Sequence, residues 1–393
     1  MFQRDISEKL FSSVKSFYAV SLVGPRQSGK TTLLRYLYPE YEYINLEDPD
    51  MLQRIKLDPK GLLDTDKKWI IDEAQEYPEL FSYLLGIIDK RKILGQFILS
   101  GSQNFLLMER ISQSLAGRVA VLELLPLTYK ELCSNNNEYQ DNIWSLIYKG
   151  QYPGLYRNNI EPEIWYKSYV TTYIQRDVRQ ILKIKDLSKF YLFLQLCAAR
   201  HGQLINFLDI GSACGISHTT IKEWINLLEA SYIIFKLQPY YKNFNKRITK
   251  TPKLYFYDSG LVCHLLGIDS ISYAKTHNIR GALFEGYIIS EIKKIYFNKV
   301  KPFNGYFWLS NKGFELDLLL EKIDKIKAIE IKSSATFADH FLRQIKKWNE
   351  LLINNNEKKF AENFIIYSGE ESFIVNNINI VSYKDVESKL DMV

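Results

Sequence analysis

A glycine-rich loop between an apolar run and a helical run constrains the fold of this chain more than any other feature. The loop, Gly24-Pro-Arg-Gln-Ser-Gly-Lys-Thr31, follows the apolar segment Tyr18–Val23 and precedes the helical pattern Thr32-Leu-Leu-Arg-Tyr-Leu. Glycines let backbone N–H groups converge on a polyphosphate, and the start of a helix adds partial positive charge. This GxxxxGK[ST] motif in its strand–loop–helix context therefore predicts a nucleotide-binding α/β fold.

The motif assigns a role to each part of the loop. Lys30 is expected to bridge the β- and γ-phosphates of ATP, and the Thr31 hydroxyl is expected to bind Mg²⁺. ATP and Mg²⁺ are thus the predicted cofactors. The residues expected to surround the nucleotide are Gly24, Pro25, Arg26, Gln27, Ser28, Gly29, Lys30, Thr31 and Thr32.

Two adjacent acids follow a second apolar run. Lys68-Trp-Ile-Ile-Asp-Glu73 suits a buried strand with charge at its end. We expect Asp72 to hold Mg²⁺, directly or through water, and Glu73 to orient the attacking water, which favours hydrolysis over binding alone. Taken without the phosphate loop, the same acids would also suit a helix N-cap.

Polar residues follow a third apolar run, Phe97–Ser100, and an arginine precedes a fourth. Ser102 is the predicted side chain at that strand end that senses the γ-phosphate or the water, with Ser100 and Asn104 as alternatives. Arg118 suits transition-state charge stabilisation in its own subunit or a neighbour, or a structural salt bridge. The sequence leaves these roles open.

Five short apolar runs separated by helical stretches predict a parallel sheet covered on both faces. The runs are Tyr18–Val23, Glu42–Asn45, Trp69–Ile71, Phe97–Ser100 and Val119–Leu122. We divide the chain into a P-loop ATPase core (1–132), a helical extension (133–186) with a helix over Glu163–Leu182, a winged helix-turn-helix (187–260) and a C-terminal α/β domain (261–393).

The winged-helix prediction comes from helices at Ser188–Arg200, at Asn206–Ala213 and from Ser217 to Ala230, followed by strands Tyr232–Leu237 and Lys253–Tyr257. Ser217 would cap the third helix and expose His218, Thr219 and Lys222. The residues between 231 and 257 include six cations and no acid, so the charge of this segment equals the net charge of +6 for the whole chain. This basic wing, 236–253, predicts DNA contact through Lys236, Lys242, Lys246, Arg247, Lys250 and Lys253, with a solvated loop or packing on the ATPase as alternatives.

The C-terminal section reads helix, three strands, helix and strand, with acids on the strands. Alternation along a strand puts Glu330 and Lys332 on one face, and Asp317 lies on the preceding strand. An acid followed by Glu-x-Lys resembles the PD-(D/E)xK nucleases, in which carboxylates hold metal and the lysine assists the water. Glu285, on the helix Ala282–Lys294, matches the additional acid, and Gln344 is a weaker match. A degenerate nuclease-like fold and an amphipathic hairpin with Glu and Lys on its solvent-exposed face remain alternatives.

Nearly the whole chain resembles a family of prokaryotic AAA-type ATPases, the AAA_14 and DUF4143 pair. The resemblance lies in GPRQSGKTTLL, WIIDEAQ, FILSGSQ and LAGRVAVLELLPLTYKEL, and continues through Gly150-Gln-Tyr-Pro-Gly154, Arg176-Asp177 and LYFYDSGLVCHLLG. It implies a P-loop ATPase joined to a winged helix and a restriction-endonuclease-like domain. Gly150-Gln151 replaces the paired glycine that is frequent in the family.

Composition limits the remaining function classes. The chain has 393 residues, of which 46% are hydrophobic and 24% charged, so a disordered or disulfide-scaffold protein is excluded. Four scattered cysteines without CxxC argue against a zinc site and for a reducing cytoplasm. No apolar run is long enough for a membrane span. The leading prediction is a Mg²⁺-dependent ATPase controlling a DNA-directed module, with a homo-oligomer or protein partner open. The alternative is a nucleotide-dependent protein-interaction switch with an inactive nuclease-like fold.

Overall fold

The protein is described by a computed structural model that covers residues 2–101, 115–134, 142–174, 186–240, 251–310, 313–323, 325–354 and 360–390. The chain forms two compact units. The N-terminal unit comprises Met1–Leu127, Ala230–Ile233 and Phe297–Lys301. The C-terminal unit comprises Thr128–Glu229, Ile234–Tyr296 and Pro302–Val393. The finer division into four segments stays a prediction.

A parallel sheet forms the centre of the N-terminal unit. Within the described residues it has five strands, in the spatial order β2-β3-β4-β1-β5. The strands are β1 (Ala19–Val23), β2 (Glu42–Asn45), β3 (Trp69–Asp72), β4 (Phe97–Gly101) and β5 (Val119–Glu123). Each predicted run becomes a strand with bounds shifted by at most one residue. Strand β4 lies between β1 and β3, so the strand ends carrying the predicted site residues are neighbours.

Helices pack on this sheet through apolar faces. Leu10 of α1 and Leu33 and Leu34 of α2 belong to one buried cluster with Val20 and Ile98 of the strands. The helices of this unit are α1 (Ser7–Ser16), α2 (Lys30–Leu37), α3 (Pro49–Leu57), α4 (Pro59–Leu63) and α5 (Leu80–Arg91), with a 3₁₀ turn at Ala74–Glu76.

The C-terminal unit begins with short helices. One of them covers the start of the long helix expected over Glu163–Leu182, but it is not regular throughout. Its regular part ends at Tyr169 and continues as a π-helical turn, Val170–Ile174. The Thr172 hydroxyl donates to the Ser168 carbonyl at 2.7 Å, and such back-bonding bends helices. Residues 175–185, including Arg176 and Asp177, lie outside the described residues. The helices are α6 (Tyr129–Cys133), α7 (Ile143–Lys149), α8 (Pro153–Arg157) and α9 (Pro162–Tyr169).

The helices and strands expected between residues 187 and 257 are present. They are α10 (Leu187–Ala199), β6 (Gln203–Leu204), α11 (Phe207–Cys214), α12 (His218–Ala230), β7 (Ile234–Pro239) and β8 (Lys253–Phe256). Ser217 Oγ accepts from the Thr220 N–H at 3.1 Å, which is the expected cap of α12. Strand β6 was not expected, and β8 pairs antiparallel with both β6 and β7.

The C-terminal strands continue the same sheet. In the part of the chain that the structure describes, this sheet has nine strands, in the order β13-β14-β12-β11-β10-β9-β7-β8-β6. Strand β7 pairs parallel with β9, which joins the hairpin to the later strands. The elements are α13 (Ser259–Leu265), α14 (Ile271–Thr276), α15 (Arg280–Asn298), β9 (Gly305–Leu309), β10 (Glu315–Glu321), β11 (Lys325–Lys332), α16 (Leu342–Asn354), β12 (Phe360–Tyr367), β13 (Phe373–Val375), β14 (Ile378–Ser382) and α17 (Val386–Lys389), with 3₁₀ turns at Asp339–Phe341 and Tyr383–Asp385.

Candidate functional site

The phosphate-binding loop connects β1 to α2 in the N-terminal unit. Gly24 has φ of 151°, and a Cβ there would collide with the Leu124 carbonyl oxygen. Gly29 has φ of 94° and immediately precedes the first residue of α2. Both positions therefore need glycine, one for close backbone approach and one for the left-handed turn into the helix. The loop thus leads directly into the N-terminus of α2.

Lys30 is the first residue of α2 and is buried. Its Nζ donates to the carbonyl oxygens of Gly24 at 2.9 Å and Pro25 at 2.8 Å, which curls the side chain back under the loop. Burial lowers the pKa of the Lys30 ammonium to about 8, while the nearby carboxylates of Glu73 and Asp72 oppose that shift. An anion beside this ammonium would further favour its charged form.

Asp72 ends β3 and is fixed by four hydrogen-bond donors. Its Oδ2 accepts from Thr31 Oγ1 at 2.6 Å and from the Tyr43 hydroxyl at 3.0 Å. Its Oδ1 accepts from the Glu73 N–H at 3.1 Å and from the Ser100 hydroxyl. The donors come from α2, β2, β4 and the residue after β3. The carboxylate is therefore held at the carboxyl edge of the sheet, beside the hydroxyl of Thr31.

This pair fits a magnesium ion. Among the described residues no group of three His, Cys, Asp or Glu side chains is arranged to hold a metal. Mg²⁺ does not require one, because it commonly takes one or two carboxylates and completes its shell with phosphate oxygens and water. Thr31 and Asp72 supply two hard oxygen ligands at hydrogen-bond distance from one another.

Glu73 occupies an unusual backbone conformation. Its φ of 51° lies in the left-handed region, which non-glycine residues adopt rarely and often at functional sites. The Gln75 amide donates to Glu73 Oε2, and Gln75 Oε1 is buried without a hydrogen-bond partner in the described part of the chain. Gln75 was not among the predicted site residues. It lies in the 3₁₀ turn that follows β3, and its spacing of two residues from Glu73 was the available signal.

Tyr43 was also missed, and Ser100 was ranked behind Ser102. Tyr43 lies on β2, next to β3, and the Arg35 guanidinium stands 4.9 Å from its ring centroid. Burial and then Asp72 raise the pKa of the Tyr43 hydroxyl, which keeps it protonated as a donor. Ser102 and Asn104 lie outside the described residues, so their predicted role stays a prediction. The rule that parallel strands end at one edge could have found Tyr43.

Arg118 lies at the opposite end of the strands from the phosphate loop. Its carbonyl accepts from the Ala19 N–H at 3.2 Å, which places it at the amino ends of β1 and β5, whereas the loop follows the carboxyl end of β1. A five-residue strand spans about 16 Å. Its guanidinium Nε lies 2.7 Å from Asp89 Oδ1. These contacts favour the structural salt bridge, and a catalytic role for Arg118 in its own or a neighbouring subunit stays a prediction.

A second group of charged side chains, here called the acidic cluster, lies in the C-terminal unit. It brings together the four residues that the sequence nominated as a possible nuclease site. Asp317 Oδ2 accepts from the Ile331 N–H at 2.7 Å, and the Lys332 ammonium pairs with Glu330. Two lysines and four acids contribute: Lys253, Lys332, Glu285, Glu315, Asp317 and Glu330. No described hydrogen bond links Gln344 to them, and its Oε1 is buried without a partner.

The acids of the cluster are close enough to perturb one another. Burial, followed by the charges of Glu330 and Glu285, raises the pKa of Asp317 well above its usual range. Burial also raises the pKa of Glu330 to about 7, against the opposing effect of Lys332. The side chains therefore converge, as the nuclease-like prediction requires, but their arrangement among the described residues is not that of a three-acid metal site.

The basic wing needs a correction. Of its six cations, the two that the structure describes both have internal partners. Lys236 Nζ lies 2.6 Å from Glu229 Oε2, and Lys253 belongs to the acidic cluster. Both were counted as wing cations because a charge run does not reveal which side chains turn inward. Lys242, Lys246, Arg247 and Lys250 lie outside the described residues, while His218, Thr219 and Lys222 are exposed on α12.

Comparison with protein families agrees with the geometry of the N-terminal unit. Residues 16–133 match the family described as an AAA domain, which together with the sheet order and the loop defines an AAA-type P-loop ATPase fold. Residues 140–272 match a domain of unknown function, DUF8612, and residues 280–386 match another, DUF4143. The segment predicted as a winged helix, 187–260, thus falls in the DUF8612 match and outside the DUF4143 match.

The chain belongs to the family of the uncharacterized protein Rv2008c of Mycobacterium tuberculosis. The two are 30% identical over 339 residues, which covers 85% of this chain and 74% of the relative. The uncharacterized protein MJ1544 of Methanocaldococcus jannaschii is 24% identical over 351 residues, covering 81% and 74%.

Solved structures provide a more distant likeness. The Walker-type ATPase PABY2304 of Pyrococcus abyssi covers 67% of this chain and 96% of its own, at 16% identity and a TM-score of 0.46. The Aeropyrum pernix ORC2 protein in its ADP form covers 70% and 92%, at 15% identity and a TM-score of 0.35. Over the described residues, no helix combines the length and apolar character needed to cross a membrane.

Proposed function

We propose that the N-terminal unit hydrolyses ATP with Mg²⁺ as its metal cofactor. The observation that carries this proposal is the hydrogen bond of 2.6 Å between Thr31 Oγ1 and Asp72 Oδ2, beside the buried ammonium of Lys30. A hydroxyl, a carboxylate and an ammonium at the start of a helix are the groups that bind a metal-complexed triphosphate. The AAA-domain match over residues 16–133 supports the same class of ligand.

Each residue then has one role. The loop from Gly24 to Thr32 surrounds the phosphates, and Lys30 exchanges its contacts with the loop carbonyls for contacts with phosphate oxygens. Thr31 and Asp72 hold Mg²⁺, which neutralises charge on the β- and γ-phosphates when bound. Glu73 orients the attacking water, while Ser102, or alternatively Ser100 or Asn104, senses the γ-phosphate or the water.

ATP turnover by two variants tests this assignment. Lys30→Ala removes the charge that contacts the phosphates, so nucleotide binding weakens or hydrolysis stops. Glu73→Gln keeps the metal ligands and loses the water-orienting carboxylate, so ATP stays bound and is not hydrolysed. Lys15→Ala, which removes an exposed lysine of α1, is the control. Normal turnover in both variants would overturn the assignment.

We also propose that residues 187–260 form a winged helix that contacts DNA. The support is the exposed polar start of α12 and the composition of residues 242–250, which contribute four cations and no acid but lie outside the described residues. Lys246→Ala with Arg247→Ala should weaken DNA binding and reduce the salt dependence by about one unit for each lost phosphate contact. Lys236→Ala is the matched control, because this lysine is already paired with Glu229. An unchanged salt slope in the double variant would contradict the proposal.

For the C-terminal unit, the alternative of an inactive nuclease-like fold is favoured over a competent nuclease. In the competent case ATP state would control cleavage of DNA with Mg²⁺ or Mn²⁺, and Asp317→Ala or Lys332→Ala would abolish cleavage. The observation against it is the Lys253 ammonium, which already pairs with Glu285 and Glu315. The unit then acts as a nucleotide-dependent interaction module for DNA or a protein. Metal-dependent cleavage by the wild type would reverse this preference.

A further inference from the structure

The acidic cluster contains a lysine that the sequence placed on a DNA-binding surface. Lys253 Nζ lies 3.1 Å from Glu285 Oε1 and also pairs with Glu315. The Tyr255 hydroxyl donates to the same Glu285 oxygen. The side chain of Lys253 is only 6% exposed, so its ammonium lies inside the cluster and not in solvent.

The backbone of Lys253 is held on both sides. In the strand pairing, Lys253 lies opposite Leu237 of β7 and opposite Leu204 of β6. Its ammonium also stands 5.5 Å from the ring centroid of Phe307 on β9, a distance at which an aromatic face attracts a cation. Two carboxylates and one ring therefore surround the ammonium, and the strand that carries it cannot move without losing pairing on two edges.

The cluster contains four carboxyl groups and two lysines, which leaves an excess of acid that a divalent cation would also neutralise. One observation favours such an ion, since Glu330 Oε2 is buried without a partner among the described residues. Two observations oppose it. Glu285 and Glu315 are already bound to Lys253, and the described chain has no three-acid group arranged around a common point. A divalent ion and the Lys253 ammonium would compete for the same carboxylates.

We propose that Lys253 is the resident cation of the acidic cluster and takes the position of a divalent metal, so that the C-terminal unit folds and acts without a metal ion. This inference rests on the proposed inactive nuclease-like fold of the C-terminal unit. It predicts a gain of metal binding, because removing Lys253 should free Glu285 to turn towards Asp317 and Glu330 and so complete a set of metal ligands that the present arrangement lacks.

Binding of Mn²⁺ to the full chain without nucleotide, measured by electron paramagnetic resonance, tests the proposal. All chains carry Asp72→Asn, which removes the candidate metal ligand of the N-terminal unit. The test variant is Lys253→Met with Glu315→Gln, which removes one charge of each sign and so keeps the net charge of the cluster. The matched control is Lys236→Met with Glu229→Gln, which removes an ion pair that involves the same hairpin but lies outside the cluster.

The test variant should bind one Mn²⁺ in the acidic cluster, at least about tenfold more tightly than any Mn²⁺ that the parent chain binds, because a competing unit charge has left the site. Asp317→Asn should abolish this binding in the test variant and should leave Mn²⁺ binding by the parent and the control unchanged. One equivalent of Mn²⁺ in the parent, lost on Asp317→Asn, would overturn the proposal. So would a test variant that is folded by circular dichroism and binds no more than the parent. ATP hydrolysis is measured separately with Asp72 intact, so its absence would affect the proposed ATPase and not this result.

Discussion

Thr31 and Asp72 are separated by 41 residues of sequence, yet the Thr31 hydroxyl donates to the Asp72 carboxylate at 2.6 Å. The contact joins the first turn of α2 to the end of β3. Strand β4 lies between β1, which the loop follows, and β3, which ends at Asp72. Ser100 of β4 also donates to Asp72, so donors from α2 and from β4 converge on one carboxylate.

Replacing the Thr31 hydroxyl should separate its chemical role from its volume. Thr31→Val keeps the shape of the side chain but loses the donor to Asp72 and the candidate Mg²⁺ ligand. We expect turnover at saturating ATP to fall at least about tenfold, since a hydrogen bond to a charged group contributes about 1.5–3 kcal/mol. Thr31→Ser, which retains the hydroxyl, should keep most of the activity. Equal rates for the valine variant and the wild type would contradict the role of Thr31.

Tyr43 should act as a positioning residue for Asp72. Tyr43→Phe removes one of the two donors to Asp72 Oδ2, so we expect kcat to fall by roughly threefold to tenfold while KM for ATP changes little. Tyr41→Phe is the matched control, because its hydroxyl donates to the Gly95 carbonyl and not to Asp72. Both changes should lower the free energy of unfolding by about 1 kcal/mol. Loss of kcat in both variants alike would point to a purely structural effect.

Arg118 and Asp89 should behave as a surface ion pair in a double-mutant cycle. Both side chains are exposed, so we expect Arg118→Ala and Asp89→Ala each to lower the free energy of unfolding by less than about 1 kcal/mol. The free energy of unfolding of the double variant, measured in urea, should be no lower than that of the less stable single variant. Fully additive losses would show that the two residues do not stabilise the protein through each other.

Arg118→Ala, combined with Lys30→Ala on a separate chain, tests a role of Arg118 in a neighbouring subunit. Chains with Arg118→Ala retain an intact phosphate loop, and chains with Lys30→Ala retain the arginine. If Arg118 completes a neighbour's site, mixing the two inactive preparations should restore part of the ATP turnover. Absence of recovery in a mixture that forms mixed oligomers would leave Arg118 with its structural role.

His201 should make stability depend on pH. Burial lowers the pKa of its imidazole to about 3, and its Nδ1 accepts from the Phe256 N–H at 3.2 Å. In the unfolded chain the imidazole is protonated with a pKa near 6.5, whereas in the folded chain it stays neutral down to about pH 3. The contribution of His201 to the free energy of unfolding therefore falls as the pH decreases from about 6.5 towards 3. The slope is at most about 1.4 kcal/mol per pH unit. Above about pH 7 this contribution is constant.

Urea unfolding of wild type and His201→Asn between pH 7.5 and 4.5 measures this slope. The asparagine oxygen can accept from the Phe256 N–H but does not titrate, so the stability advantage of the wild type should shrink as the pH falls. His218→Asn changes an exposed histidine and serves as the control. Parallel pH profiles for wild type and His201→Asn would contradict the prediction.

Sequence reasoning was most successful where local pattern and local chemistry coincide. The five strands of the N-terminal unit, the cap at Ser217 and the phosphate loop each depend on residues that are close in the chain. The prediction for Lys253 was wrong, because in the sequence this residue is one more cation of a basic segment. Composition does not distinguish a lysine that turns inward from one that faces water.

The sequence by itself determined the phosphate loop, the acids at the end of β3 and the α/β character of the N-terminal unit, since apolar periodicity and glycine placement act over a few residues. Tertiary structure alone decided that Tyr43 and Ser100 hold Asp72, that Arg118 lies at the opposite end of the strands from the phosphate loop, and that Lys253 enters the acidic cluster. These contacts join residues 28 to 99 positions apart, as between Ser100 and Asp72 or between Ala19 and Arg118. They depend on strand order and register, which arise only when the sheets assemble.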